Sequence, residues 1–203
     1  FEKFGGIMTS PNDDEYLQTS SFHHFKKRVV WVVSLAAIGI ISGMIINAYQ
    51  GVLESFIILA MYMPMMAATG GNTGSQAATV IIRSLSLGEI QDEDWLKIVF
   101  KEAKISFMLS LTVATLTYLK IAFLSFHALL PEGFTMNYIA FTISLAIAIQ
   151  VIFSAVIGAG LPLIVRRMGG DPAIVASPAI STIVDITGLL IYFTVATYTL
   201  GIS

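Results

Sequence analysis

From Val29 to Tyr49 the chain runs for 21 residues without a single charged side chain, and nothing else restricts its fold as tightly. About 20 apolar helical residues cross the roughly 30 Å hydrocarbon core of a bilayer. Within that core every backbone amide and carbonyl has to be paired inside the protein, and irregular backbone survives only where protein or a water-filled cavity covers it. Four further apolar stretches follow, at about residues 52–82, 105–129, 138–165 and 177–201. Only 12% of the residues are charged and 56% are hydrophobic, against roughly 25% charged in soluble domains. The expected fold class is an all-α membrane protein with five transmembrane helices per chain.

Residues 1–25 are polar and mixed, and read as a cytosolic linker; residues 26–203 form the membrane domain. The sequence opens Phe1-Glu2-Lys3-Phe4 and is read as part of a longer polypeptide with a soluble portion upstream. Orientation follows from lysine and arginine, which favour the cytosolic side. An inside N-terminus collects Lys26, Lys27, Arg28, Arg83, Lys97, Lys101, Lys104, Arg166 and Arg167 on one side. The loops 47–55 and 127–137 then face outward and contain no lysine or arginine. Five crossings leave the C-terminus outside. Lys120, the one basic residue within a span, lies roughly 22 Å along its helix at the standard rise and can snorkel outward.

The second apolar stretch holds an anomaly. Between Thr69 and Gln76 it places three glycines, two threonines, an asparagine, a serine and a glutamine. A Gly70-Gly71-Asn72-Thr73-Gly74 break at membrane depth predicts an unwound hinge with carbonyls turned toward a polar pathway. If helix resumes after Gly70, then Asn72, Gln76 and Thr79 share a face. The last stretch carries the matching feature, Asp185, the one acid well inside a span. A carboxylate near mid-membrane costs roughly 2.5–3.5 kcal/mol on insertion scales. Ser177, Ser181 and Asp185 repeat every fourth residue, flanked by Thr182 and Gly188, so one helical face is polar. The plainer alternatives are a structural hydrogen-bonding acid and small residues that only let helices pack closely. Packing alone suits Gly39, Gly43, Ser154, Gly158 and Pro162. It explains less at 69–76, where asparagine and glutamine must also find partners. Glu54, at the outer start of the second helix, and Asp171, in a cytosolic Gly-Gly-Asp-Pro turn, are candidate mouth residues; a turn or N-cap acid explains Asp171 equally well.

Carbonyls, side-chain amides and a carboxylate are hard oxygen donors that suit Mg²⁺, Ca²⁺ or Mn²⁺. Mg²⁺ sheds water reluctantly and is often held through its hydration shell by one or two carboxylates. One Asp185 from each of two chains would fit such an ion. The absence of cysteine excludes disulfides, thiolate metal sites and cysteine nucleophiles. Only one acid is well inside a span, which disfavours a paired-carboxylate protease. The chain contains no His-Glu-x-x-His and no Gly-x-Ser-x-Gly. No catalytic residue and no nucleic-acid partner is expected.

The run Gly70-Gly71-Asn72-Thr73-Gly74-Ser75-Gln76-Ala77-Ala78-Thr79, followed by Ile81-Ile82-Arg83-Ser84-Leu85, resembles the signature of the MgtE magnesium channel family. Gly170-Asp171-Pro172-Ala173 and the later Val184-Asp185-Ile186-Thr187-Gly188-Leu189-Leu190-Ile191-Tyr192 resemble the same family's last helix. The resemblance implies a homodimer in the inner cell membrane, with a pore along the dimer axis lined by the second and fifth helices. It implies an Mg²⁺ site at Asp185, Gly71, Gly74 and Ser181, with Asn72 and Asp171 also on the metal route. Gly70, Thr73, Gln76, Ser177, Thr182 and Glu54 would line the pore. Cytosolic regulatory domains belong with such a membrane domain, and Mn²⁺, Co²⁺ and Ca²⁺ are the competing ions. Two other readings stand beside the channel: a carrier exchanging Mg²⁺ for Na⁺ or H⁺, and a non-transporting scaffold whose polar faces only pack helices.

Overall fold

A computed structural model describes residues 17–125, 130–175 and 177–201, apart from the side chains of Asp92, Ile174, Val175 and Ser177. All regular structure among them is helical: α1 (Ser21–Ala48), α2 (Gln50–Ser55), α3 (Ile57–Ser86), α4 (Trp95–Leu124), α5 (Met136–Arg167) and α6 (Ser177–Leu200). Single 3₁₀ turns, Asp92–Asp94 and Pro172–Val175, precede α4 and α6. Helices α1, α4, α5 and α6 (from Pro178) are long and apolar enough to cross a membrane. Helix α3 has 30 residues, roughly 45 Å at the standard rise, with the polar cluster in its middle.

Helix boundaries follow local chemistry. The Ser20 hydroxyl accepts from the His23 amide at 3.4 Å and the Thr135 hydroxyl from the Tyr138 amide at 3.3 Å, capping the first turns of α1 and α5. Just past the C-terminal ends of α3 and α5, Gly88 and Gly169 take left-handed φ values of 70° and 78°. The Glu89 amide then donates back to Ser84 O, and the Gly170 amide to Val165 O, at 3.0 and 2.9 Å. These are Schellman closures, which recover carbonyls a helix end would otherwise leave unpaired.

Two features of the second apolar run differ from the expectation. The chain does not unwind at Gly70-Gly71-Asn72-Thr73-Gly74; α3 continues through all of it and through Pro64. The interruption falls earlier, at Phe56 (φ −131°, ψ 71°), separating α2 from α3. Helix α4 starts at Trp95, directly after the acids Asp92, Glu93 and Asp94, and takes in the charged residues that precede the apolar run at Ile105.

Helix α5 is the centre of the bundle, packed on both α3 and α4, with α6 against α3 and α5. Two ridges of residues four apart run along it. One is Ile139, Ile143, Ile147, Val151, Ala155, Ala159 and Leu163; the other is Ala146, Gln150, Ser154, Gly158 and Pro162, and all of them are buried. Between helices in lipid the gain comes from close packing rather than removal from water, so small residues mark the tightest crossings. That crossing is Gly74 against Gly158. A Cβ on Gly158 would collide with the carbonyl, and lie 2.8 Å from the Cα, of Gly74.

No residue of α1 is buried. Its C-terminal end holds to the bundle through Ile45 and Ile46 and through Tyr49, whose ring stacks on Phe193 of α6 at 4.7 Å. Deeper, the Tyr192 hydroxyl donates to Leu59 O at 2.9 Å, tying α6 to α3. The Lys120 ammonium lies 4.8 Å from the centroid of the Tyr62 ring, a cation–π contact from α4 to α3.

Candidate functional site

An open cleft of about 800 Å³ lies between α3 and α6, and Asp185 is in its wall. From α3 it is lined by Ala68, Gly71, Asn72, Ser75, Gln76 and Thr79, and from α6 by Ser181 and Asp185. On α3 these positions recur at intervals of three and four, one stripe of a helix. The cleft therefore needs no break in α3, because an intact helix already presents a polar face. The Thr69, Thr73 and Thr79 hydroxyls donate to the carbonyls four residues back, at 2.7, 2.8 and 2.8 Å. In continuous helix the Gly71 and Gly74 carbonyls are engaged along the axis. Beside them the side-chain oxygens of Asn72, Ser75, Gln76, Ser181 and Asp185 line the cleft.

The glycines have a different use from the one expected. Gly70 and Gly74 are buried. The Gln150 amide lies where a Cβ on either Gly70 or Gly188 would have to sit. A Cβ on Gly74 would meet Ile180, Val184 and the Ser154 carbonyl, each at 3.1 Å. Gly71 faces α6 more loosely, where a Cβ would sit 3.6 Å from the Ser181 hydroxyl. Gly70, Gly74 and Gly188 let α3, α5 and α6 converge behind the cleft, while Gly71 forms part of its wall.

Asp185 is half-buried and has no hydrogen-bond or ion-pair partner among the described residues. The Ser75 and Ser181 hydroxyls meet at 3.5 Å across the helices. Asn72 and Gln76 are exposed on the cleft. The structure therefore brings together Asp185, Ser181, Gly71, Asn72 and Gln76 among the residues singled out from sequence.

The rest lie elsewhere. Thr73 lines a smaller cavity of about 200 Å³ with Ser106, Glu102 and Gln76, so Gln76 touches both spaces. The Thr182 hydroxyl donates to Pro178 O at 2.9 Å within α6. The Ser177 side chain lies outside the described residues. Glu54 sits in α2 and accepts from the Gln50 amide at 2.7 Å. The Asp171 carboxylate accepts from the Ala173 amide at 2.9 Å, closing the turn ahead of Pro172–Val175.

Two residues missed from sequence belong beside the site. Gln150 is 1% exposed, and both polar atoms of its side chain lack a hydrogen-bond partner. Its sequence signal was present, a lone amide amid the fourth apolar run. Glu102, in the charged stretch ahead of the third apolar run, is half-buried within α4. No group of three or more histidine, cysteine, aspartate or glutamate side chains poised for a metal occurs among the described residues.

Comparison with known proteins bears on this geometry. A family model described as MgtE, a divalent cation transporter, matches residues 63–195, which include every residue of the cleft. The chain is 37% identical over 169 residues to the magnesium transporter MgtE of Thermus thermophilus, covering 83% of this chain and 35% of that protein. It is 30% identical over 197 residues to the Bacillus subtilis magnesium transporter MgtE, covering 97% of this chain and 41% of that one. The Enterococcus faecalis magnesium transporter MgtE is 26% identical over 184 residues, 91% and 39% of the respective lengths. The chain thus spans about 35 to 41% of the length of these curated relatives.

Proposed function

This chain belongs to the MgtE family of divalent cation transporters, and from that premise we propose that it conducts Mg²⁺ through a pore built on the α3–α6 cleft. It is a multi-pass protein of the cell membrane. In the proposed assembly α1, α3, α4, α5 and α6 all span, the N-terminus is cytosolic, and two chains meet with their clefts face to face.

The observation that carries the reading is the placement of Asp185. Its carboxylate stands without a basic partner in an open cleft whose other donors are oxygens, those of Ser181, Ser75, Asn72 and Gln76. One carboxylate per chain is too little to strip the shell from Mg²⁺, which dehydrates reluctantly. Two, one from each chain, hold a hydrated ion through its waters, and the hydroxyl and amide oxygens orient those waters. Asp171 lies on the cytosolic side and would serve the gate there, in concert with regulatory domains of the same polypeptide. An inside-negative potential supplies roughly 2.3 kcal/mol per elementary charge per 100 mV, so a divalent cation enters without a coupled ion. The unbroken course of α3 supports this channel over a carrier built on broken helices.

The test is Mg²⁺ uptake into liposomes containing the purified chain. Asp185→Asn keeps the shape and removes the charge; it should lower uptake at least about tenfold, the equivalent of roughly 1.4 kcal/mol at the barrier. Wild-type uptake and an unchanged order of Mg²⁺ against Ca²⁺ and Mn²⁺ in that variant would contradict the assignment. Uptake that follows an imposed Na⁺ or pH gradient would favour an exchanger.

A further inference from the structure

A second cavity, of about 610 Å³, opens between α4, α5 and α6. It is lined from Val156 past Gly160 to Arg167 on α5, by Val99 and Trp95 of α4 and by Ile183 of α6. Eleven residues separate Val156 from Arg167, roughly 16 Å of groove at the helical rise. The lining is apolar along that length and changes character only at its end. There the Arg167 guanidinium lies 5.3 Å from the centroid of the Trp95 ring. Gly160 gives the groove its depth, for a Cβ there would meet nothing within 4 Å.

The groove looks away from the ion cleft. Ile183 stands two residues from both Ser181 and Asp185, roughly 200° around α6 from each. The face-to-face arrangement proposed for two clefts therefore leaves the groove uncovered. Its charged end is also the cytosolic end in the proposed orientation, where anionic lipids give the leaflet a negative surface potential. Trp95 is the first residue of α4, so that helix adds the positive end of its dipole beside the guanidinium. Of the three acids ahead of Trp95, Asp94 is paired with Lys97 at 2.9 Å. Tryptophan and arginine at the headgroup level, above a slot of acyl-chain length, match one molecule in both chemistry and geometry.

We infer that this groove binds an anionic phospholipid, one acyl chain lying along Gly160 and the phosphate held at Arg167 and Trp95. The test is native mass spectrometry of the purified full chain titrated with phosphatidylglycerol and with phosphatidylcholine of the same acyl chains. Wild type should retain phosphatidylglycerol at least about five-fold better, the equivalent of roughly 1 kcal/mol for one basic residue near an anionic headgroup. Gly160→Leu fills the groove from open space and should abolish retention of both lipids. Arg167→Gln should keep acyl-chain binding and bring the preference close to unity, and it stands as an independent test if Gly160→Leu does not fold. Equal retention of the two lipids by wild type would overturn the inference, as would undiminished phosphatidylglycerol binding in Arg167→Gln. Displacement of the lipid by inorganic phosphate alone would identify a simple anion site and overturn it too. None of these readouts depends on ion flux, so they stand or fall separately from the proposed channel.

Discussion

Replacing Gln150 with methionine should raise the thermal stability of the protein. The side chain is 1% exposed, in the middle of α5, and neither its amide nitrogen nor its carbonyl oxygen has a hydrogen-bond partner. A buried polar group left unpaired costs about 1–3 kcal/mol. Methionine has nearly the same length, no hydrogen-bonding demand and a flexible chain that adapts to irregular space. Volume-conserving swaps in a packed interior usually cost less than about 1.5 kcal/mol. Mid-range values leave a net gain of about 1 kcal/mol, which for a chain of this size raises the melting temperature by roughly 2–4 °C. Gln150→Ala should move the other way. It removes the same amide but leaves a cavity between Gly70 and Gly188, at a cost of about 2–5 kcal/mol. The assay is helicity against temperature in one detergent at a single scan rate, since membrane proteins commonly unfold irreversibly. A fall in melting temperature for Gln150→Met would refute the reasoning and show that the amide is hydrogen-bonded in the folded protein.

Gly158→Ala would push a Cβ into the Gly74 backbone and should lower stability by about 1–3 kcal/mol, as overpacking does. Gly160→Ala, two residues on and facing open space, should instead raise it by about 0.5–1 kcal/mol through helix propensity; melting curves of the pair that move in the same direction would contradict the crossing described above. Tyr192→Phe removes the hydroxyl that donates to Leu59 O at 2.9 Å and should cost about 0.5–1.5 kcal/mol, read as a lower melting temperature. At the exposed start of α4 the hydrogen bond from Lys97 holds the Asp94 carboxyl below its ordinary value. A carboxylate depressed in this way stabilises above its unfolded pKa and loses that contribution as pH falls through the folded one. An NMR titration should therefore place Asp94 below the usual range of about 3.9, and a midpoint at or above it would remove the ion pair.

The polar face was legible in the sequence because it violates its surroundings. Asp185 in an apolar run, Ser181 one turn before it, and Asn72 and Gln76 four apart could each be read without coordinates. The family's signature lay in the same residues. What the sequence did not convey was the role of the glycines. Local propensity sets Gly about 1 kcal/mol below Ala in a helix, so a cluster at membrane depth reads as a break. The structure retains the helix because what those positions lack, a Cβ, is what α5 and α6 need in order to approach at Gly70 and Gly74. Such contacts join residues about 80 to 120 apart in the chain, and no local pattern contains them. The same limit hid Gln150, whose meaning depends on two glycines in other helices.

Where Gly74 meets Gly158, one main chain rests directly on another, with no rotamer available to absorb a displacement. Helices α3 and α5 thereby meet backbone to backbone at that level, whereas α6 faces them through the side chains of Ile180, Val184 and Ser181. At this depth the cleft therefore has one wall fixed by backbone contact and one, the α6 wall that carries Asp185, seated through side chains.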